Sequence, residues 1–199
     1  MLYLTHSLYA VGISLLFGPL IYLCGFSHVN YWLMLIILAV FGKEGGKWPD
    51  CDHSSWNSVK EKTPFYWVCN KIIRMTGGKH RSRHTHALST CVLFLCAGVV
   101  VPVVLANAGM LSFLDSQLIM VCASGFGAGW LSHLLADALN TTGIWATPFS
   151  KKQFSLVGKG TIVKFNTGGN WEDFCQFVVG KVNILCIVAV VAFGVFYVG

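Results

Sequence analysis

The chain has 199 residues, of which 55% are hydrophobic and 11% are charged, and its mean hydropathy is +0.64. This composition excludes an ordinary soluble domain and indicates several membrane spans. The net charge of +6 would suit nucleic acid, but in a membrane protein lysine and arginine mark the cytoplasmic loops. We adopt the second interpretation and expect membrane lipid, and no nucleic acid, as a partner.

Five apolar stretches follow one another along the chain, at residues 4–24, 31–42, 88–110, 116–139 and 177–198. The first lacks a basic leader and a cleavage signal, so we predict a retained span. The second is short, and it either crosses with help from its flanks or is buried among the other helices. We therefore predict one all-α domain over residues 1–199, a polytopic membrane helix bundle with about four to five spans.

Three residues in these stretches bear on helix packing. Pro102 is expected to kink the third long helix. Gly125 and Gly129 form a small-x-x-x-small face on the fourth, which lets a neighbouring helix approach closely.

The eight cysteines contain no C-x-x-C pair, so we predict neither a disulfide framework nor a cysteine-based zinc site.

Two polar segments, residues 43–87 and 140–175, carry thirteen of the fourteen lysine and arginine residues. We therefore expect both segments to be cytoplasmic. Two spans separate them and two precede the first, so the N-terminus is also predicted to be cytoplasmic. If residues 31–42 do not cross, the N-terminus changes sides.

The segment Trp48–His53 contains Asp50, Asp52 and His53 within four residues. Charge this dense beside a membrane is costly unless it is neutralised, and carboxylate and imidazole groups are usual ligands of a metal cation. The alternative is a solvated turn in which Pro49 and the aspartates act as turn or cap residues. Taken alone, the segment favours neither interpretation.

His133 and Asp137 stand four residues apart on the fourth long helix, so they share one helix face. Such a pair can bind one metal ion side by side, and the alternative is a buried pair joined by a hydrogen bond. Ionisable residues inside a span usually mark functional sites. We therefore favour the ligand pair.

The segment before the third long helix alternates basic and imidazole groups. It suits a basic patch that touches anionic lipid. In a compatible interpretation, His80 and His86 are metal ligands, and Arg81 or Arg83 holds a substrate phosphate. His84 lies on the same side of an extended strand as His86, but only one of the two need bind metal.

Under the predicted topology these groups all fall at the cytoplasmic end of the bundle, where His6 opens the first span and Glu172 precedes the last. Only His28 lies at the opposite end, and Glu172 alone would be typical of a surface carboxylate. We therefore predict a metal site with nine candidate ligands: His6, Asp50, Asp52, His53, His80, His86, His133, Asp137 and Glu172. This mixture of imidazole and carboxylate groups suits zinc or manganese better than calcium. Either one ion is bound and the remaining residues support its ligands, or two or more ions are bridged by aspartates.

The combined motifs resemble those of the bacterial inner-membrane, metal-dependent hydrolase family of the YdjM type. The matching pieces are Pro49–His53, His80-Arg81 with Thr85-His86, Gly129–Asp137 with Asn140–Gly143, the early His6, and Gly169–Glu172. The family usually spaces its first histidine and its Thr-His pair one residue closer, so His84 competes with His80. The resemblance implies a multi-pass protein of the bacterial inner membrane, and a weaker similarity to zinc-dependent phospholipases C suggests the substrate class.

The leading hypothesis is a hydrolase of a phosphoester in a phospholipid or lipid-linked substrate. A metal ion would lower the pKa of a bound water. Asp50 or Asp52 would orient that water or act as the base, and these are the first two candidate catalytic residues. Arg81 and Arg83 are the other two, because either could stabilise the phosphoryl charge. The rival is a metal-binding transporter or sensor, although the third and fifth stretches offer few polar groups for a transport path.

Overall fold

The computed structural model describes residues 3–26, 29–52, 64–77, 81–139, 143–156 and 170–198. Its helices are α1 (Tyr3–Leu23), α2 (Tyr31–Lys47), α3 (Pro64–Met75), α4 (Leu88–Asn107), α5 (Phe113–Ala138) and α6 (Asn170–Phe193). A short 3-10 helix, Trp48–Asp52, follows α2, and a π-helical turn, Gly194–Val198, follows α6. A small hairpin pairs β1 (Ile144–Trp145) with β2 (Gln153–Phe154). The predicted all-α bundle is confirmed.

Helix α5 lies at the centre of the bundle. It packs against α1, α2 and α4, whereas α6 packs on the outside against α1. Helices α2 and α4 both lie along α5 and have little direct contact with each other. Met34, Leu38 and Val121 are fully buried in the main core cluster. The central helix is therefore the one whose residues are best placed to contact several others.

Three helices in the described part of the chain are long and apolar enough to cross a membrane, over Leu88–Asn107, Phe113–Ala138 and Phe177–Val198. Helix α1 adds a shorter apolar stretch, Ser7–Leu23. Helix α2 continues to Lys47, past the predicted end at residue 42. One face of α2 is buried, while its other face exposes Trp32, Ile36 and Val40. These findings agree roughly with the expected four to five spans.

Helix α3 was not predicted, because its residues lie in a segment with no long apolar run. Its buried residues Tyr66, Asn70 and Ile73 recur at helical spacing and therefore form one face. The Tyr66 hydroxyl donates to the Glu44 carbonyl at 2.8 Å, and the Asn70 amide donates to the Cys51 carbonyl. This face packs against the 3-10 helix and supports the segment that contains Asp50 and Asp52.

The hairpin was not predicted either, and it connects two parts of the chain near the end of α5. Gly143 enters β1 with a φ of +69°, a conformation that side-chain-bearing residues rarely adopt. The Trp145 N–H donates to the His86 carbonyl at 3.0 Å. After β2, the Leu156 N–H donates to the Ala138 carbonyl at 2.8 Å. The hairpin therefore ties the segment before α4 to the C-terminal end of α5.

Candidate metal centre

The candidate centre begins with the contact between α2 and α5. Leu38 faces Gly125, and four residues later in each helix Gly42 faces Gly129. A side chain on Gly129 would meet the backbone of Gly42 and Gly46, so the two helices can approach this closely only because residue 129 is glycine. The predicted small-residue face of α5 is therefore used, and its partner is α2.

The next step along this contact places His133 beside Gly46. His133 Nδ1 donates to the Gly46 carbonyl at 2.7 Å, in the last turn of α2, where carbonyls lack partners within the helix. The proton on Nδ1 leaves Nε2 with its lone pair in the neutral ring. Nε2 lies 3.8 Å from Asp50 Oδ1 and 3.6 Å from Asp137 Oδ2.

His86 is oriented in the same manner by a different set of groups. Thr85 Oγ1 donates to Asp52 Oδ2 at 2.7 Å and lies 3.0 Å from His86 Nδ1, so it accepts from that ring nitrogen. The second ring nitrogen, Nε2, lies 3.4 Å from Asp137 Oδ2. Both imidazoles therefore donate outward through Nδ1 and direct Nε2 toward the same carboxylate.

The position of Asp52 suits orientation of His86. Asp52 is 1% exposed, and its Oδ2 accepts from the Ser82 N–H at 2.8 Å as well as from Thr85. The same oxygen lies 3.6 Å from His86 Nδ1. A carboxylate placed behind a histidine fixes the ring and makes it a better metal ligand.

Three inner groups lie close enough together to hold one metal ion. Asp50, His86 and His133 each offer one ligand atom, and these three atoms lie within 4.8 Å of one another. Asp137 Oδ2 lies between the two histidine Nε2 atoms. Ligands about 2.1 Å from a tetrahedral zinc are roughly 3.4 Å apart, close to the distances found here. Two imidazoles and the Asp50 carboxylate could therefore hold a metal ion, with Asp137 beside both rings.

The charge balance favours a cation as well. Burial would lower the pKa of His86, but the hydrogen bonds and charges of Asp137 and Asp52 outweigh it and raise the pKa to about 9. These carboxylates thus stabilise positive charge on or near the ring. The Asp137 carboxylate also attracts a cationic side chain, because Arg81 Nη2 lies 3.0 Å from Asp137 Oδ1.

Several backbone contacts hold the segment that contains Arg81 and His86. Arg81 has a φ of +60°, unusual for a residue with a side chain. The Trp145 indole N–H donates to the Arg81 carbonyl at 3.0 Å, and the Trp130 indole N–H donates to the Thr85 carbonyl at 2.8 Å. Two indoles therefore fix the backbone on either side of the bend.

One side of the cluster is open to solvent. The side chains of Asp50 and Arg81 are 23% and 20% exposed, whereas those of His86, His133 and Asp137 are at most 3% exposed. A catalytic metal site characteristically keeps one accessible position. The accessible groups here are one carboxylate and one guanidinium.

The structure brings together five of the predicted ligands: Asp50, Asp52, His86, His133 and Asp137. His53 and His80 lie outside the described residues, as does His28. For His6 and Glu172 only the helical backbone is described, within α1 and α6. The structure shows only that the first five lie together, and all nine ligand assignments stay predictions.

The remaining candidates near the site lie farther out. His84 is exposed, so within the described residues His86 is the histidine of this segment that enters the cluster. Arg83 is also exposed, and its guanidinium lies 4.6 Å from the centre of the Trp145 ring. Arg81, by contrast, contacts Asp137 directly.

Contributors that were not predicted as site groups include the Gly46 carbonyl, Ser82, Thr85 and the indoles of Trp130 and Trp145. Thr85 was noticed only because it precedes His86 in a motif. A hydroxyl beside a buried histidine is a signal that sequence could have offered. The carbonyl and the indoles act through contacts between distant segments, which no local pattern displays.

Comparison with known proteins gives one match. The search of curated proteins found no match, and neither did the search of solved structures. The model of the YdjM inner membrane protein family matches residues 1–199, the whole of the sequence. With membrane-length helices and a polar cluster at one end of the bundle, the chain belongs to the YdjM inner membrane protein family.

Proposed function

We propose that this membrane protein is a metal-dependent hydrolase that cleaves a phosphoester in a phospholipid or lipid-linked substrate. The observation that carries the proposal is the open side of the cluster. Buried imidazoles and Asp137 lie behind two partly exposed groups, Asp50 and Arg81. A site meant only to stabilise the fold gains nothing from such an opening.

The roles of the exposed groups follow from their chemistry. Asp50 can accept a proton from a water molecule or orient it, because its carboxylate faces both His133 and solvent. Arg81 contacts Asp137 through Nη2 and lies at the opening, where a guanidinium suits an anionic phosphoryl group. A divalent ion bound by the inner groups would supply Lewis acidity and water activation.

The inner residues maintain the geometry. His133 is fixed by the Gly46 carbonyl and His86 by Thr85 and Asp52, so neither ring can turn without losing a buried hydrogen bond. Such fixed rings preserve a site through repeated turnover. Asp52 thus acts in this proposal as a positioning residue, while Asp50 faces the substrate.

We further propose that the cluster faces the cytoplasm, as the distribution of lysine and arginine suggests. Reporter fusions at residues 60 and 155 should then both report cytoplasm, and a fusion at residue 112 should report the other side. A split result for the first two fusions would refute a single cytoplasmic site.

The decisive experiment measures metal-dependent cleavage by the purified protein. After chelation, zinc or manganese is returned, and phospholipids, lipid pyrophosphates and an aryl phosphodiester are offered. Asp50→Asn should lower the rate about a hundredfold or more. The matched control is Asp115→Asn, at the far end of α5, which should retain the wild-type rate.

A contrary outcome is informative. If wild-type protein binds one or more metal ions per chain and cleaves none of these substrates, hydrolysis is refuted. The same ligands would then serve a metal transporter or sensor. Metal binding is measured separately by elemental analysis, with His86→Ala as the expected loss and the exposed His84→Ala as the control.

A further inference from the structure

A groove separates α2 from α4 on the lipid-facing side of the bundle. Both helices lie along α5 and have little direct contact with each other, so a gap remains between them. Its walls include Val40 and Phe41 from α2 and Phe94 from α4, and its floor includes Ile119 and Phe126 from α5. The volume is about 680 Å³, which lies within the range of ligand sites.

The groove opens sideways toward the region that the bilayer occupies. Val40 is 55% exposed, Ile119 is 43% exposed and Phe94 is 38% exposed. Among the described residues that line it, Glu44 is the only charged one, and Glu44 and Tyr66 lie together at one end. An apolar channel of this kind, continuous with the surface of a membrane-spanning helix, suits hydrocarbon.

The polar end of the groove is next to the candidate metal centre. Glu44 lies two residues before Gly46, and the Gly46 carbonyl accepts the hydrogen bond from His133. Between groove and cluster lies an aromatic layer, in which Trp48 is 6.1 Å from Phe126 and 6.0 Å from Trp130, centre to centre. A lipid chain in the groove would therefore have its far end in the membrane, and its headgroup would extend past this aromatic layer to reach the metal ligands.

The length of the groove argues against a protein helix as its occupant. Along α5 it runs from Ile119 to Phe126, about 10 Å at 1.5 Å per residue. A membrane-spanning partner helix is about 30 Å long, so the groove would cover only about a third of it. A single flexible hydrocarbon chain has no such requirement.

We propose that this groove binds one acyl chain of a membrane phospholipid and so presents the lipid headgroup to the metal centre. The inference deepens the proposed function, because it supplies the binding site for the apolar part of a lipid substrate. Lateral entry from the bilayer would spare the lipid from leaving the membrane entirely.

The test uses a phospholipid with a photoreactive diazirine on one acyl chain. Purified protein in detergent is titrated with this probe, from substoichiometric amounts to excess, in the presence of a chelator. After irradiation, the labelled residues are identified by mass spectrometry. We expect saturable labelling near one lipid per protein, with adducts concentrated at Cys122, Phe126 and their neighbours. The water-soluble glycerophosphodiester headgroup should not compete.

Matched variants separate the groove from the general lipid-facing surface. Val40→Trp fills the groove and should lower saturable labelling at least fivefold. Val100→Trp makes the same change at a residue of similar exposure, 57%, outside the groove, and should have no effect. Ile119→Trp fills the groove from its floor and replaces Val40→Trp if that variant does not fold, as judged by thermal unfolding.

The outcomes distinguish this inference from the proposed function. Equal labelling of the groove and of the outer faces of α4 and α6, or unchanged labelling in both groove variants, overturns the lipid site. Because the measurement needs neither metal nor turnover, saturable capture without cleavage would refute hydrolysis alone. Cleavage without saturable capture would leave hydrolysis standing and refute the groove.

Discussion

The candidate centre has two halves that are held in place by different forces. His133 and Asp137 belong to a regular helix, and their positions depend on the close contact between α2 and α5. His86 and Asp52 belong to short irregular or 3-10 segments, and their positions depend on hydrogen bonds from Ser82 and Thr85. We call these the helix half and the loop half.

The comparison indicates how each half should fail. Tightly packed backbones cannot adapt to added volume, so damage to the helix half should disturb the whole bundle. The hydrogen bonds of the loop half are buried, and each contributes a modest net free energy of about 1 kcal/mol. Damage to the loop half should therefore weaken metal binding while the fold persists.

The largest effect is expected from Gly129→Leu in the helix half. The new side chain would meet the backbone of Gly42, so the helices must separate, at a cost of about 3 kcal/mol or more. Thermal unfolding in detergent should show severe destabilisation, and bound metal should be lost. Gly180→Leu on α6 is the control, because a side chain there meets nothing within 4 Å. A stable Gly129→Leu protein with full metal content would show that the helix half does not depend on the close contact between α2 and α5.

The second effect is a pH dependence that arises in the loop half. The pKa of His86 is raised from 6.5 to about 9, so its pairing with Asp52 and Asp137 stabilises metal-free protein fully below pH 6.5. That stabilisation is lost as pH rises through 9. Metal affinity should rise over the same interval by about tenfold per pH unit, because one proton is displaced.

Isothermal titration and thermal unfolding across pH 6 to 9.5 measure these two trends. His84→Gln should leave both unchanged, since its side chain is exposed. A metal affinity that does not change with pH would show that His86 binds no ion.

The third prediction concerns Thr85→Val, which removes a hydroxyl and keeps the shape. Asp52 and His86 then lose the group that connects them. Metal affinity should fall about ten- to a hundredfold, with little loss of helix content by circular dichroism. Thr147→Val, in the exposed part of the hairpin, provides the control. An unfolded Thr85→Val protein would remove the distinction between the two halves.

The smallest effect is expected from Trp145→Phe, which deletes the indole N–H that donates to the Arg81 carbonyl. One hydrogen bond of this kind contributes about 1 kcal/mol, so metal affinity should fall about fivefold at most. Trp67→Phe, on the exposed face of α3, should not change it. A loss as large as that of Thr85→Val would show that the hairpin, and not the hydroxyl, dominates the loop half.

The two halves also differ in what the sequence could predict. The glycine face of α5 and the His133–Asp137 pair follow from helical periodicity, so each was predicted from local spacing alone. The partner of that face, and the Gly46 carbonyl, depend on which helices meet, and no single-helix pattern contains that information.

For the loop half, the sequence predicted which types of residue take part but not how they are arranged. Aspartates and histidines were expected near each other, but the hydroxyl of Thr85 and the indole of Trp145 act through contacts across tens of residues. Helix α3 was missed for a related reason, because its Tyr66 and Asn70 face a segment far earlier in the chain. Local propensity is too weak to decide such elements.

The length of α5 determines how deep the ligands can lie. Twenty residues separate Phe113 from His133, which is about 30 Å of helix and matches the thickness of the hydrocarbon layer. With the exposed Phe113 at one boundary of that layer, His133 reaches the other boundary and Asp137 extends about 6 Å beyond it. Metal ions could then reach the ligands from water without crossing the hydrocarbon layer, and the ligands would lie at the depth of the lipid phosphate groups.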